Sequence, residues 1–242
     1  AAARKNQLQF LEKLNRAHLE SHPENTELQA RISNYEIAAR MQTSVTEALD
    51  LSRETADTKK VYGLDHPHAA TANYAKRCLM ARRLIEQGVR FIQIYLSGQP
   101  WDTHDKNAEK LKDLCLMTDQ PSAALVMDLK QRGLLDSTIV LWTGEFGRLP
   151  IAQGKDGRDH NRRAFSLWIA GGGFKKGYQH GATDEFGYKA VKDEVRVYDL
   201  HATLLHALGL GHTRLTFPHE GREDTLTDAV VTDAKVVNEL LS

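Results

Sequence analysis

Twice in this chain a helix-length segment with apolar residues at helical spacing stops at a glycine and gives way to a short apolar run. The first segment spans about Ala69 to Gln87, with Cys78, Leu79, Ala81, Leu84 and Ile85 on one face, and stops at Gly88. The run Val89 to Leu96 follows, dense in β-branched and aromatic residues. The second segment spans about Ala108 to Arg132, with Leu111, Leu114, Cys115, Leu125, Val126 and Leu129, and stops at Gly133 before the run Thr138 to Trp142. Pro121 is expected to kink that helix or start a new one. Helices alternating with short strands across tight junctions point to a parallel sheet of the α/β class. Ala164 to Ala170, closed by Gly171-Gly172-Gly173, gives a third strand. Strands at about 89–96, 138–143 and 164–170 are therefore expected in one sheet, the first two parallel.

Ahead of this alternation lie two further helical runs. Residues 3–20 carry Leu8, Phe10, Leu11, Leu14 and Leu19. Residues 26–49 carry Leu28, Ile32, Tyr35, Ile37, Met41, Val45 and Leu49, and His22-Pro23-Glu24-Asn25 separates the two. They read as a helical hairpin packed on the core through Leu8, Leu11, Leu28 and Ile32. Ser52 to Ala70 is polar and reads as a loop. Past residue 173 the chain is a polar, glycine-punctuated excursion to about 194. A helix over 200–209 capped by Asp199 follows, then a short amphipathic helix over 232–241. The expected organisation is a helical segment over residues 1–68 on an α/β domain over 69–242, forming one structural unit.

Charge excludes some partners. Thirty-two basic residues balance thirty-two acidic ones, so nothing in bulk favours nucleic acid or an anionic surface. No apolar run reaches the length needed to span a bilayer, so membrane insertion is not expected. Cys78 and Cys115 lie far apart inside helical patterns and read as free thiols.

The polar residues concentrate after the apolar runs, where α/β folds place their sites. Trp101-Asp102-Thr103-His104 follows the first run. Glu145, Arg148, Arg158, Asp159 and His160 follow the second. Alternate residues of an extended segment point the same way, so Asp102 and His104 can grip one cation. A carboxylate oxygen and an imidazole nitrogen suit zinc, manganese or iron. Asp159 or His160 is the candidate third ligand. Glu145 joins this site or holds a second ion, and two ions would clamp a displacement at phosphorus or sulfur. Arg148, Arg158, Arg162 and Arg163 add positive charge that binds oxyanions. Other readings stand beside these. Asp102 could cap the following helix, Glu145 could be the ion-pair partner of Arg148 or Arg158, and Asp159-His160 could be an ordinary loop. His66, His68, His201 and His206 read as packing or surface residues, and the glycine run at 171–173 as a turn.

Taken in order, Trp101-Asp102-Thr103-His104, Gly133-Leu134-Leu135-Asp136-Ser137-Thr138, Gly144-Glu145-Phe146-Gly147-Arg148, Gly157-Arg158-Asp159-His160, Ala170-Gly171-Gly172-Gly173 and Asp199-Leu200-His201-Ala202-Thr203-Leu204-Leu205 resemble a bacterial family of sulfatase-like proteins of unknown function within the alkaline phosphatase superfamily. The resemblance spans nearly the whole chain. It implies a three-layer α/β/α sandwich with metal positions and a metal-dependent hydrolase of sulfate or phosphate esters, acting on a small-molecule ester. The cofactor is then a divalent ion such as zinc, manganese or calcium. Residue by residue, one metal site carries over onto Asp102, His104 and His160. In the other, Glu145 holds the acidic position while Phe146, which cannot bind metal, stands at its partner's place, so Asp159 is the replacement. Arg148 and Arg158 would bind the anion. The superfamily's nucleophile strand is expected ahead of the helical opening. The chain thus reads as a C-terminal portion, exported if a signal precedes it, and slow as a hydrolase by itself. The alternative is a non-catalytic sulfatase-like binding or structural module.

Overall fold

Helix carries the first half of the chain. The computed structural model describes residues 2–23 and 26–242, with side chains at 2–5, 9, 26 and 38–47 outside the description. The expected break at Glu24 and Asn25, and the inward placing of Met41 and Val45, therefore lie outside the described residues. Among the described residues, the helices α1 (Ala2–Glu20), α2 (Thr26–Leu49), α3 (Ala56–Tyr62), α4 (Ala69–Glu86) and α5 (Asn107–Gln131) come first. After them come short strands, β1 (Val140–Trp142), β2 (Gly147–Gln153), β3 (Gly157–Asn161) and β4 (Trp168–Ala170). β5 (Ala182–Thr183) and β6 (Ala190–Lys192) follow, then helix α6 (Val197–Ala207), strands β7 (Thr216–His219) and β8 (Arg222–Thr225), and helix α7 (Ala229–Thr232). None of the helices is long and apolar enough to cross a membrane, among the described residues.

The expected three-layer α/β/α sandwich is not formed. Among the described residues helix makes up 45%, and the strands form small two-stranded sheets with no central sheet. Each pair is antiparallel: β1 with β4, β2 with β3, β5 with β6, β7 with β8. Val89–Leu96 forms no strand and joins no ladder among the described residues, and leaves Phe91 77% and Tyr95 70% exposed. The stretch between β1 and β4 explains the reversal. A parallel return needs a crossover, usually a helix. Here a β-hairpin, β2–β3, fills that stretch, so β4 comes back antiparallel, with Leu141 opposite Ile169. Gly171 follows β4 at φ 75°, where an added Cβ would meet the carbonyls of Leu135 and Thr138 at 2.3 Å. Only glycine closes that turn.

Two compact units divide the chain, residues 1–54 with 83–92, and residues 55–82 with 93–242. In the first, α1 and α2 pair, and Arg83 ties down the end of α2 by donating from Nε to the Ala48 carbonyl at 2.7 Å and pairing with Glu54. Leu8 and Leu11 are exposed there, and Leu28 and Ile32 half-buried.

The second unit is built on α3, α4 as far as Arg82, and α5. Helix α3 lies in the stretch expected to be a loop. Thr55 caps it by accepting from the Thr58 N–H, and Gly63 ends it in the left-handed region. Its polar surface hides it from a periodicity reading, and the residue that anchors it is the fully buried Tyr62. The Tyr62 hydroxyl donates to Asp128 Oδ2 at 2.9 Å, the same oxygen that lies 2.9 Å from Arg82 Nε, while Arg132 Nε donates to Asp128 Oδ1 at 2.7 Å. One carboxylate thus organises a polar knot among Leu79, Ala124, Leu125 and Leu129. Helix α5 continues across Pro121 without starting a new helix there, and the ring is buried with them. Packing of the ring offsets the one lost backbone hydrogen bond. At α6 the helix begins two residues before Asp199. Asp199 sits in the first turn and its carboxylate accepts from the Arg196 N–H and guanidinium and from the Lys235 N–H. The segment 232–241 is not a helix. It holds the end of α7 and a single tight turn at 238–240.

Candidate metal centre

Two pieces of the second unit build the centre: the turn 99–106, and the β2–β3 hairpin. The turn is wound tightly by backbone bonds, from Asp102 N to Gln99 O, Thr103 N to Trp101 O, and His104 N to Asp102 O, at 3.0, 3.0 and 3.1 Å. Thr103 faces inward at 3% exposure and donates from its hydroxyl to Asn107 Oδ1. Burying Thr103 turns its neighbours Asp102 and His104 outward together. The hairpin then grips the turn. Arg158 N donates to the Thr103 carbonyl at 2.9 Å, and Asp156 accepts from the N–H groups of Lys106 and Asn107. Gly157 lies so close to the turn that an added Cβ would sit 1.8 Å from the His104 carbonyl oxygen.

The hairpin register sets Arg148 opposite His160, and Gly147 opposite Asn161. Asn161 is buried and donates to the Tyr188 carbonyl at 3.0 Å while accepting from the Arg163 N–H. That anchoring fixes the strand end from which His160 projects. The Phe146 ring lies against the His160 ring, centroids 4.5 Å apart.

The result is a convergence of three donor atoms. Asp102 Oδ1 lies 2.8 Å from His104 Nε2 and 3.1 Å from His160 Nε2, and the two Nε2 atoms are 3.1 Å apart. Among the described residues, Asp102, His104 and His160 form a group able to hold a metal ion. Bonds of about 2.0–2.1 Å to one ion put neighbouring donors about 2.9 Å apart at right angles and about 3.3 Å apart in a tetrahedron. The observed triangle fits that range. Side-chain exposures of 28%, 38% and 48% for Asp102, His104 and His160 leave the face open to solvent, so an ion would keep open positions. Arg148 Nη1 stands 2.6 Å from Asp102 Oδ1. The hydrogen bond from His160, then the contact with Arg148, hold the Asp102 carboxyl below its ordinary pKa, so it offers a charged oxygen. Outside the triangle, His104 Nδ1 shares a 2.5 Å hydrogen bond with Gln153 Oε1.

The remaining expected site residues lie elsewhere. Glu145 is exposed and outside the three-donor group. Asp159 is also outside it, with Oδ1 accepting from the His160 N–H at 2.7 Å. Arg158 turns its Nη1 to the Gly157 carbonyl. His68 pairs with Asp113 across 3.2 Å, and His206 is exposed on α6. Sequence reasoning did not single out Gln153, since a glutamine in a hairpin arm carries no compositional signal. It read Phe146 only as a residue unable to bind metal, whereas the ring supports a candidate ligand.

No curated protein and no solved structure matches this chain. One family profile, described as "Protein of unknown function (DUF1501)", matches residues 1–241. Since that match runs through nearly the whole sequence, the turn and the hairpin of the centre included, the chain belongs to the DUF1501 family, whose function is unknown.

Proposed function

We propose that the chain binds one divalent cation through Asp102, His104 and His160 and serves the hydrolysis of phosphate or sulfate esters. The observation that carries this reading is the triangle of one carboxylate oxygen and two imidazole nitrogens, 2.8–3.1 Å on a side, on a solvent-open face. Bound there, a zinc or manganese ion would supply Lewis acidity and a water of lowered pKa. The protein's own groups do the rest. Asp102 supplies negative charge, the two histidines supply neutral nitrogens, and Arg148 adds a fixed positive charge beside them that suits an oxyanion. The order of sequence motifs described above supports the same class of substrate.

A second reading, a metal-binding module without turnover, is favoured by the state of two nucleophilic side chains of the second unit. The Thr103 hydroxyl, next to both ligands in sequence, is buried and committed to Asn107. Burial pushes the Cys78 thiol up to about 12, so it holds its proton near neutral pH. The test is metal analysis of the purified chain, followed by assay of the zinc- and manganese-loaded forms on 4-nitrophenyl phosphate and 4-nitrophenyl sulfate. Turnover that disappears in His104→Ala supports the hydrolase. Stoichiometric metal without turnover supports the module. Failure to retain either ion defeats both.

A further inference from the structure

We infer that Gln153 is a positioning residue for the metal centre: its amide oxygen holds His104 in the tautomer that leaves Nε2 free to ligate. The inference rests on the cation-binding reading above. An imidazole binds metal through an unprotonated nitrogen, and which nitrogen is bare depends on the hydrogen bond made by the other. In this chain the two ring nitrogens of His104 have different surroundings. Nε2 faces Asp102 Oδ1 and His160 Nε2, at 2.8 and 3.1 Å. Nδ1 faces Gln153 Oε1 at 2.5 Å. With Nε2 given to an ion, the ring's one proton sits on Nδ1, where an amide oxygen, which only accepts, receives it. The lone pair on Nε2 is then directed at the other two donors.

The hairpin is built to deliver Gln153 to this place. Between the pairs Arg148–His160 and Ala152–Arg158 the register shifts, with β2 advancing from 148 to 152 while β3 moves only from 160 to 158. The extra residues bulge out of β2. Beyond the bulge Gln153 pairs with Gly157, the residue packed against the His104 carbonyl. A partner without a side chain leaves room for the glutamine to reach across to the imidazole. Unshifted pairing would set a different residue opposite Gly157.

Three variants and two readouts test this. Zinc affinity is measured by competition with a chromophoric chelator on the wild-type chain, Gln153→Leu, Gln153→Glu and His104→Ala. The protonation of His104 is read from imidazole ¹⁵N shifts of the ¹⁵N-histidine-labelled chain with zinc bound. The expected result is zinc affinity about tenfold weaker in Gln153→Leu. Gln153→Glu, which keeps an acceptor oxygen, should regain it. The His104 spectrum should show a protonated Nδ1 in the wild type and lose its hydrogen-bonded shift in Gln153→Leu. Wild-type zinc affinity in Gln153→Leu, with His104→Ala still defective, overturns the role of Gln153 while leaving the metal centre standing. A protonated Nε2 on His104 overturns it as well. Absence of zinc binding by the wild-type chain overturns the metal centre itself.

Discussion

The Nε2 atoms of His104 and His160 stand 3.1 Å apart although 56 positions separate the two residues in sequence. Two neutral imidazoles placed nitrogen to nitrogen gain one hydrogen bond at best. With Asp102 Oδ1 on the third corner, they gain far more by sharing an ion. That geometry gives the most direct prediction. Asp102→Ala and His160→Ala should each weaken zinc binding on the order of 100-fold or more, beyond the usual cost of an outer-shell change. His206→Ala, on the exposed side of α6, should leave it unchanged. Isothermal titration calorimetry on the three variants checks this.

Gly157→Ala should damage the centre without touching a ligand. The new Cβ would lie 1.8 Å from the His104 carbonyl, which forces the turn away from the hairpin. Gly144→Ala meets nothing closer than 3.7 Å and serves as the control. Zinc affinity should fall in the first variant and hold in the second, while far-ultraviolet circular dichroism stays the same in both.

The knot around Asp128 should dominate the stability of α3 to α5. Asp128→Ala takes away the carboxylate shared by Tyr62, Arg82 and Arg132 at once. The expected loss is about 3–5 kcal/mol, the usual cost of breaking a buried charged pair from one side. Urea unfolding monitored by circular dichroism reads it. Unchanged stability would mean that the network contributes no more than a surface pair.

Asp199 should contribute to acid sensitivity. Its carboxyl is held below the ordinary value of 3.8, chiefly by the hydrogen bond from Arg196. A group whose pKa is lower in the folded state stabilises fully above its unfolded pKa and loses that contribution as pH falls through the folded one. Stability should therefore drop from about pH 4 downward. Asp199→Asn should be less stable near neutral pH and show a flatter profile over that acid range. Thermal unfolding measured from pH 7 to the acid limit of solubility compares the two.

Much of the helical half was legible because its signals are local. The amphipathic spacing of residues 69–87 and 108–132, with glycine stops, corresponds to α4 and α5 within a few residues. The convergence of Asp102, His104 and His160 was also approachable from sequence, since Asp and His two apart after an apolar run share a side. Helix α3 was not, because its polar composition reads as loop and its anchor Tyr62 acts through a partner 66 positions away.

The sequence by itself determined where helices start and stop and which residue types could ligate, because capping, periodicity and donor chemistry act over a few residues. Strand pairing belonged to the tertiary structure. An apolar run such as Val89–Leu96 has the composition of a buried strand, yet nothing within it names a ladder partner, and here it has none among the described residues. Thr138–Trp142 found its partner in an antiparallel β4 because a hairpin, and not a crossover helix, lies between them. The site followed the same division. Local sequence supplied Asp102, His104 and His160, while the bulged register of β2–β3 and the side-chain-free surface of Gly157 decided that they meet, and that Gln153 stands behind them. Register and close approach depend on residues distant in sequence, so they exist only once the chain has folded.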